Sequence, residues 1–214
     1  MNALLQYYPG QYMTLINPDG VARSYSTANN LSLDGYMEFH ISLAKDGQFS
    51  GWLFSTAETG DTIHLRGPLG DCFYSNTSNE SFPILLAGTG TGLAPLFGII
   101  NDALDQEHQG NIMLFHGGRS IEQLYYIEEL KALAEKHPQL QYFPCTKESS
   151  EIENEFTGTL EDVIAANTDP SDLSRMRIYL CGGPDTVNSL RKTLFLKGAA
   201  SSRIFCDPFL ERKS

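Results

Sequence analysis

The chain has 214 residues and a mass of 23.7 kDa, a length typical of one large or two small domains. Its hydrophobic fraction of 41% can supply a sizeable core, and its charged fraction of 19% is too low for a disordered, solvated chain. With 15 basic and 26 acidic residues the net charge is −11, which argues against binding to nucleic acid or to an anionic membrane surface.

The four cysteines are scattered over the chain, at Cys72, Cys145, Cys181 and Cys206. Zinc and iron–sulfur sites need clustered thiolates, so the sequence predicts no metal site. Four dispersed cysteines are also typical of reduced thiols rather than of a disulfide framework. The N-terminus lacks the pattern of a signal peptide, and no apolar run reaches the ~20 residues that span a bilayer. These features predict a cytoplasmic protein that is not embedded in a membrane.

Residues 11–74 read as β structure. Short segments of β-branched, aromatic and aliphatic residues at 11–16, 36–43 and 62–65 are separated by turn sequences rich in glycine, proline and aspartate. The pattern predicts an antiparallel barrel or sandwich. A polar stretch at 75–81 is typical of a linker.

After residue 80, short apolar strands alternate with helical patterns. The strands are expected at 82–87, 111–115, 140–143, 177–181 and 204–206. The helices are expected at 94–106, at 122–136, shortly after Gly158, and at 184–197. Such alternation predicts a parallel sheet in an α/β domain. We therefore divide the chain into domains at 1–78 and 79–214.

A glycine-rich loop follows the first of these strands. Gly88, Gly90 and Gly92 stand between a strand and a helix, where backbone amides can approach a pyrophosphate at a helix N-terminus. Pro95 occupies the place of a third glycine, and no acidic residue ends the next strand, so the usual NAD fingerprint is not met. The alternative is a tight turn that binds no ligand.

Two motifs in the β region are also suggestive. In the RSYS segment, Arg23 could hold a diphosphate, Tyr25 could lie against a planar ring, and Ser26 could bond a ring nitrogen. The GQFS segment at 47–50 reads as a helix start, which is a potential anion site. Alone, the two motifs are more typical of a polar edge strand and a helix cap.

In order along the chain, the motifs are PGQY, RSYS, GQFSGWL, GPLG, GTGTGLAP, YLCGGP and FCDPF. This series, which runs over 9–209, resembles the ferredoxin–NADP reductase superfamily, and within it the reductase components of bacterial oxygenases and the NAD(P)H–flavin reductases. The resemblance implies a flavin-binding β-barrel followed by a nucleotide-binding α/β domain. It also implies FAD and NAD(P)H as cofactors and a separate redox protein as electron acceptor.

The resemblance assigns the flavin site residue by residue. It implies that Arg23 binds the FAD pyrophosphate, Tyr25 packs on the isoalloxazine and Ser26 reaches the reactive N5. A strand lining the flavin would carry His40, Ile41 and Ser42. The loop that binds the diphosphate would comprise Gly47, Gln48, Phe49 and Ser50.

The nicotinamide side is assigned in the same way. The nucleotide loop would comprise Gly88, Thr89, Gly90, Thr91, Gly92 and Pro95. Cys181 and Gly182 would lie beside the nicotinamide, and Asp207 and Phe209 would close over the flavin. The resemblance makes Ser26 and Cys181 the catalytic pair: both hold the geometry of hydride transfer, and neither is a nucleophile.

Two further segments bear on the choice between NADH and NADPH. Relatives that prefer NADPH carry a Ser-Arg pair that grips the 2′-phosphate, and Thr146 with Lys147 stands at that place here. Arg119 could assist them. A hydroxyl and an ammonium can bind phosphate, although less specifically than an arginine fork. The pattern leans to NADPH, and the alternative is a pair of solvated polar residues.

Two departures from the family pattern bear on these expectations. Members usually have about 30 residues before PGQY, whereas eight precede it here, so we expect an incomplete barrel with exposed strand edges, unless this is a truncated or partial chain. Such edges could weaken FAD retention and allow a homodimer. The cysteine run of an attached ferredoxin is also absent, so an iron–sulfur partner would be a separate protein.

Two alternative functions stay open at this point. One is a flavin reductase that uses loosely bound flavin as substrate, and the other is a non-catalytic nucleotide-binding subunit. The absorption spectrum of the purified protein distinguishes these functions. Strong flavin bands would favour the FAD-dependent oxidoreductase, faint bands the flavin reductase, and absent bands the non-catalytic subunit. Four histidines that no motif uses are predicted at the surface: His64, His108, His116 and His137.

Overall fold

The computed structural model describes residues 5–76, 81–148 and 156–209. Its N-terminal part contains a three-stranded antiparallel sheet in the order β2-β1-β3. The strands are β1 (Tyr12–Ile16), β2 (Ala22–Ser26) and β3 (His64–Leu69). A tight turn joins β1 to β2, because the Asn17 side chain accepts a hydrogen bond from the Val21 amide at 2.8 Å. The predicted antiparallel β structure is confirmed, although the described strands form an open sheet.

The predicted strand at 36–43 is wrong. The segment makes a single bridge from Phe39 to Thr27, and no regular strand forms there. Its backbone also bonds to a side chain: Asn29 donates to the Tyr36 carbonyl at 2.9 Å and accepts from the Glu38 amide at 2.8 Å. With the bond from the Ala28 amide to the Glu38 carbonyl at 3.0 Å, these contacts hold the segment beside the end of β2 without a regular strand.

Two helices accompany this sheet, a single turn α1 (Leu31–Asp34) and the eight-residue α2 (Gln48–Ser55). Phe49 of α2 packs on Met13 and Leu15 of β1, and all three are buried. This small core fixes α2 and the loop before it against the sheet.

The second sheet has six parallel strands in the order β7-β6-β5-β4-β8-β9. The strands are β4 (Ile84–Thr89), β5 (Ile112–Gly118), β6 (Leu140–Thr146), β7 (Phe156–Thr157), β8 (Arg177–Gly182) and β9 (Ile204–Pro208). The helices are α3 (Leu93–Asp105), α4 (Ile127–Lys136), α5 (Leu160–Asn167) and α6 (Pro184–Leu196). The predicted fold class, an antiparallel β part followed by a parallel α/β part, is confirmed.

The core lies on both faces of this sheet. In β4, Ile84, Leu85, Leu86 and Ala87 are fully buried, which explains why the strand reads as an uninterrupted apolar run. One cluster contains the apolar side of α3 and the other contains that of α6. Because both faces of the sheet are covered, ligand binding is expected at its carboxyl edge.

One predicted helix begins later than expected. The pattern over 122–136 predicts a continuous helix, but α4 begins at Ile127 after a short 3₁₀ turn. Tyr126 adopts a left-handed conformation with φ of 59°, which interrupts the helix. Its hydroxyl donates to Glu38 Oε1 at 2.8 Å, so a contact with the N-terminal part accompanies this break.

The predicted linker at 75–81 lies mostly outside the described residues. The domain division at 1–78 and 79–214 therefore stays a prediction. No helix in the described ranges is long and apolar enough to cross a membrane.

The surface prediction is wrong for two of the four histidines, since His108 and His116 are 2% and 1% exposed. His108 bridges the Phe82 carbonyl at 2.9 Å and the Tyr74 hydroxyl at 3.1 Å. His116 Nδ1 lies 3.2 Å from the Tyr142 hydroxyl, and its Nε2 has no partner among the described residues. Burial lowers the pKa of His116 from 6.5 to about 4.

We expect this histidine to make stability depend on pH. Between pH 6.5 and 4 the unfolded chain protonates His116 while the folded chain does not, so the free energy of unfolding falls as pH falls. The contribution is at most about 1.4 kcal/mol per pH unit. Urea denaturation at several pH values measures the free energy of unfolding. Plotted against pH, this free energy should have a shallower slope in His116→Phe than in the parent protein. Equal slopes for parent and variant would contradict a buried neutral histidine.

Candidate functional site

The glycine loop lies at the carboxyl edge of the parallel sheet, where β4 leads through a 3₁₀ turn into α3. Gly90 takes a left-handed φ of 54°. A Cβ atom on Gly88 or Gly92 would lie 2.7 or 2.5 Å from the Cys181 carbonyl oxygen, so no side chain fits at either position. The loop thus lies directly on β8. The N-terminus of the 13-residue α3 therefore lies at the carboxyl edge of the sheet.

Thr89 and Gly182 continue this close packing. Gly182 has a φ of 125°, and a Cβ atom there would lie 2.9 Å from the Thr89 carbonyl oxygen. Thr91 is partly exposed, and Pro95 lies in the first turn of α3, where the missing amide donor costs little. Together with the open space around Gly90, this cradle of glycines suits the diphosphate of a dinucleotide.

The last described strand brings the C-terminal segment to the same place. Asp207 of β9 is in register with Cys181 of β8, and the Phe209 amide donates to the Gly182 carbonyl at 2.8 Å. Ser26 Oγ of β2 donates to Asp207 Oδ2 at 2.6 Å, although the two residues are 181 positions apart. The RSYS motif and the C-terminal motif therefore meet across the two sheets.

The Ser26–Asp207 contact is partly buried. Ser26 is 5% exposed, and burial raises the pKa of Asp207, with the Ser26 hydrogen bond opposing that shift. A hydroxyl bonded to a carboxylate can hold a proton between them. The pair can therefore orient a group that binds next to it, and it can exchange a proton with that group.

Cys181 faces the N-terminal part of the chain. Its Sγ lies 3.6 Å from Cys72 Sγ, and both side chains are buried. Burial raises the pKa of the Cys181 thiol well above its ordinary value, so the thiol stays neutral and is a poor nucleophile. No sequence motif singles out Cys72, because 109 residues separate it from Cys181 and no local pattern links them.

Tyr25 connects the RSYS motif with the GQFS motif. Its ring centroid lies 5.5 Å from that of Phe49, the second residue of α2, which Gln48 begins. The Ala44 amide donates to Ser50 Oγ at 3.1 Å, and a Cβ atom on Gly47 would lie 2.5 Å from that same oxygen. The two motifs thus pack against each other through Tyr25 and Phe49, within the small N-terminal core.

Arg23 also lies on this strand. It is partly exposed, and its Nη1 donates to the neighbouring Ala22 carbonyl at 2.7 Å. One side of the guanidinium is therefore held by the backbone of its own strand. Arg23 thus places a cation two residues before Tyr25 in β2.

His40 is turned towards the α/β part of the chain. Its Nδ1 lies 2.7 Å from the Tyr125 hydroxyl and its Nε2 lies 2.9 Å from Glu38 Oε1. Ile41 packs with the small N-terminal core, and Ser42 is exposed. These contacts place His40 in a network between the two parts of the chain, and its expected position along the flavin stays a prediction.

The residues predicted to choose the nucleotide do come together. The Lys147 amide donates to the Arg119 carbonyl at 3.2 Å, and Thr146 is buried, with its hydroxyl bonded to the Glu148 carbonyl at 2.8 Å. Arg119 Nε pairs with Glu148 Oε1 at 2.9 Å. Sequence reasoning missed Glu148, which neutralises one of the two expected phosphate-binding cations.

Comparison with known proteins identifies two domain families in this chain. The model of the oxidoreductase NAD-binding domain matches residues 86–192, and the model of the oxidoreductase FAD-binding domain matches residues 1–74. The first match contains the glycine cradle and Cys181, and the second contains the RSYS and GQFS motifs.

Several curated relatives are reductase components of oxygenase systems. The chain is 36% identical over 204 residues to the ferredoxin–NAD(P)+ reductase component of a naphthalene 1,2-dioxygenase system from Pseudomonas putida, with 95% of this chain and 61% of that protein aligned. It is 32% identical over 209 residues to the reductase subunit of an aromatic O-demethylase from Amycolatopsis, with 96% and 61% aligned. The chain thus spans about three fifths of the length of these relatives.

Solved structures of reductases are also similar to this chain in fold. The cytochrome P450 reductase GcoB from Amycolatopsis superposes with a TM-score of 0.85 at 31% identity, over 97% of this chain and 62% of that one. A ferredoxin–NADP+ reductase from Neisseria gonorrhoeae, solved with bound FAD and NADP, superposes with a TM-score of 0.75 over 96% of this chain and 88% of that one. At 20% identity the second likeness concerns the fold alone.

Proposed function

This chain belongs to the ferredoxin–NADP reductase superfamily, in which an FAD-binding and an NAD-binding oxidoreductase domain are joined, and we propose that it passes electrons from NAD(P)H through FAD to a separate acceptor. The acceptor class we propose is a ferredoxin or an oxygenase component, as the names of the aligned relatives suggest. The enzyme is thus an FAD-dependent NAD(P)H oxidoreductase.

The observation that carries this proposal is the hydrogen bond between Ser26 and Asp207. It joins β2 to β9 at 2.6 Å, and Asp207 is in register with Cys181, whose carbonyl lies against the glycine cradle. This contact supports the proposal that the flavin-binding and nucleotide-binding segments lie next to each other. Hydride transfer requires this arrangement, because the reacting atoms must be held about 3–3.5 Å apart.

The chain's own residues would bind and orient the two cofactors. Arg23 would pair with the FAD diphosphate, Tyr25 would pack on the flavin ring, and the 47–50 loop would donate backbone amides. Bound FAD supplies the capacity to accept a hydride and to release electrons singly or in pairs. Ser26 would hold a proton against Asp207 Oδ2, and Cys181, as a neutral buried thiol, would limit the room beside the nicotinamide.

Four finer proposals accompany this function. The domain limits at 1–78 and 79–214 are supported by family matches that end at 74 and begin at 86. A cytoplasmic location fits the unpaired cysteines of the described residues. We also propose that β2 and β3, which are the edge strands of this sheet within the described residues, allow a homodimer. Finally, the acidic chain is not expected to bind nucleic acid or an anionic membrane.

The absorption spectrum of the purified protein, followed by NAD(P)H oxidation with menadione and with a ferredoxin, tests the function. We expect near-stoichiometric flavin bands and reduction of both acceptors. Faint bands, with turnover only when free flavin is added, would favour a flavin reductase. A colourless protein that binds nucleotide without turnover would be a non-catalytic subunit.

Replacing Arg23 with alanine should weaken FAD binding at least about tenfold, or about 1.4 kcal/mol, because a buried diphosphate needs a charge-assisted partner. Titration of the apo-protein with FAD measures this. Arg66→Ala is the matched control, since Arg66 is an exposed arginine of β3 in the same sheet. Equal affinities for parent and Arg23→Ala would remove Arg23 from the flavin site.

The exposed Lys147 should act on NADPH alone, because only NADPH carries the 2′-phosphate. We expect Lys147→Glu to raise the KM for NADPH by roughly fivefold and to leave that for NADH unchanged. Glu148→Gln should act in the opposite direction, since it frees Arg119. Steady-state kinetics with both nucleotides decides this, and equal effects on NADH would show that Lys147 acts through general charge.

A further inference from the structure

Two tyrosines in the connection between β5 and α4 reach across to the N-terminal part of the chain. The Tyr125 hydroxyl lies 2.7 Å from His40 Nδ1, and the Tyr126 hydroxyl donates to Glu38 Oε1 at 2.8 Å. His40 Nε2 lies 2.9 Å from the same Glu38 oxygen, so the four side chains form one connected set. We call this set the tyrosine clamp.

Both nitrogens of the His40 ring are used in the tyrosine clamp. A carboxylate can only accept, so His40 Nε2 donates to Glu38, and in the neutral ring Nδ1 accepts from the Tyr125 hydroxyl. Burial raises the pKa of Tyr125, which keeps that hydroxyl protonated as a donor. The His40 side chain is 9% exposed, so water competes little for these bonds. The clamp is therefore a directional link between the two parts of the chain.

The clamp is anchored on the α/β side. The rings of Tyr125 and Tyr126 pack against the core cluster that contains the apolar side of α3, and the Tyr126 ring centroid lies 5.3 Å from that of Phe97. Tyr126 has a left-handed φ of 59°, which a residue with a large side chain rarely adopts. Such a backbone persists only where the surrounding contacts determine it, and here those contacts are with Glu38 and Phe97.

The clamp and the Ser26–Asp207 bond lie on opposite sides of the glycine cradle. The clamp follows β5 at the carboxyl edge of the parallel sheet, and Asp207 lies on β9 at the same edge. In the order β5-β4-β8-β9, the two strands that carry the cradle, β4 and β8, lie between them. Gly98 of α3 also packs against Pro9, but packing is less directional than a hydrogen bond. The N-terminal part is thus held on both sides of the proposed nucleotide site.

We infer that Tyr125 and Tyr126 are positioning residues for hydride transfer. Through His40 and Glu38 they fix the tilt of the N-terminal part, and hence the distance between a flavin bound there and a nicotinamide at the glycine cradle. The inference rests on the proposed function, because hydride transfer needs both cofactors. Loss of the clamp should therefore slow the reaction without weakening the binding of either cofactor.

Tyr125→Phe removes the hydroxyl that bonds to His40 and keeps the ring in the core. We expect this variant to lower the rate of flavin reduction at saturating NAD(P)H at least about tenfold, since a misplacement of about 1 Å can cost a hundredfold. The FAD content and the Kd for NAD(P)+ should stay within about twofold of the parent values. Anaerobic stopped-flow bleaching over a range of nucleotide concentrations separates the limiting rate from the affinity.

Tyr142→Phe is the matched control. The Tyr142 hydroxyl lies 3.2 Å from His116 Nδ1, so this variant also removes a tyrosine–histidine contact, but one that lies entirely within the α/β part. We expect it to keep the parent rate. Glu38→Ala removes the shared acceptor and should lose about as much as Tyr125→Phe, whereas Glu38→Gln keeps an acceptor oxygen and should restore most of the rate. Equal losses in the two Glu38 variants would overturn the inference, because charge would then matter and the hydrogen bonds would not.

Three further results would overturn the inference. They are a folded Tyr125→Phe protein that is reduced at the parent rate, an equal loss in Tyr142→Phe, and a loss that appears in nucleotide affinity alone. If Tyr125→Phe does not fold, Tyr126→Phe removes only the hydroxyl that bonds to Glu38, and a parent rate in that variant also overturns the inference. Failure of the proposed function is a different result, because NAD(P)H would then not reduce flavin in the parent protein either.

Discussion

Replacing Gly92 with alanine is expected to lower the rate of flavin reduction by NAD(P)H at least about a hundredfold. The new Cβ atom would lie 2.5 Å from the Cys181 carbonyl oxygen and 2.8 Å from the Gly182 Cα. Both neighbours are backbone atoms of β8, so neither can rotate away, and the loop must move off the strand. A displacement of about 1 Å at the nucleotide would account for the loss.

Stopped-flow bleaching of the flavin under anaerobic conditions measures this rate. Gly51→Ala is the matched control, because a Cβ atom on Gly51 of α2 meets no atom within 4 Å. Flavin content and thermal unfolding are measured on the same samples, so that only folded, flavin-bearing protein is compared. A folded Gly92→Ala protein that is reduced at the parent rate would contradict a nucleotide site at this loop.

The parallel sheet could be predicted from the sequence because its strands are buried on both faces. A short apolar run such as 84–87, followed by glycines and a helical pattern, is typical of a central parallel strand, and β4 is indeed buried from Ile84 to Gly88. The helix over 184–197 was also well marked, by Pro184 at its start and Gly198 after its end. Strong local signals were therefore sufficient for the fold class.

Local signals failed where a side chain from elsewhere in the chain decided the structure. The segment 36–43 has strand-forming residues, yet the Asn29 amide binds its backbone and His40 bonds to Tyr125. The helix expected from 122 was shortened where Tyr126 reaches Glu38. His116 is polar and was expected outside, but it lies in β5 between buried residues.

The candidate site was predicted in parts rather than as a whole. Motif resemblance named Ser26, Asp207 and Cys181, but the 2.6 Å contact of Ser26 with Asp207 spans 181 residues and no spacing rule predicts it. The same holds for Cys72 beside Cys181. Glu148 carries no motif, and only its ion pair with Arg119 shows that it bears on nucleotide choice.

Ser26→Ala should slow flavin reduction by NAD(P)H by on the order of a hundredfold while leaving the flavin content unchanged. Within the described residues, Ser26 Oγ is the side-chain donor to the Asp207 carboxylate. Its removal leaves a partly buried carboxylate without that donor, so the pKa of Asp207 should rise further, because the Ser26 bond opposes the effect of burial. With alanine in place of Ser26 and a protonated Asp207, the hydroxyl–carboxylate pair that we propose to orient the flavin is lost.

Ser24→Ala tests whether the effect belongs to the site or to the strand. Ser24 lies two residues earlier in β2, is exposed, and its hydroxyl lies 3.1 Å from Thr14 Oγ1. We therefore expect Ser24→Ala to keep the parent rate. The pH profile of flavin reduction adds a second readout, since a higher Asp207 pKa in Ser26→Ala moves the acidic limb of the profile to higher pH. Equal rates and equal profiles in the two variants would reduce the Ser26–Asp207 contact to a structural link between β2 and β9.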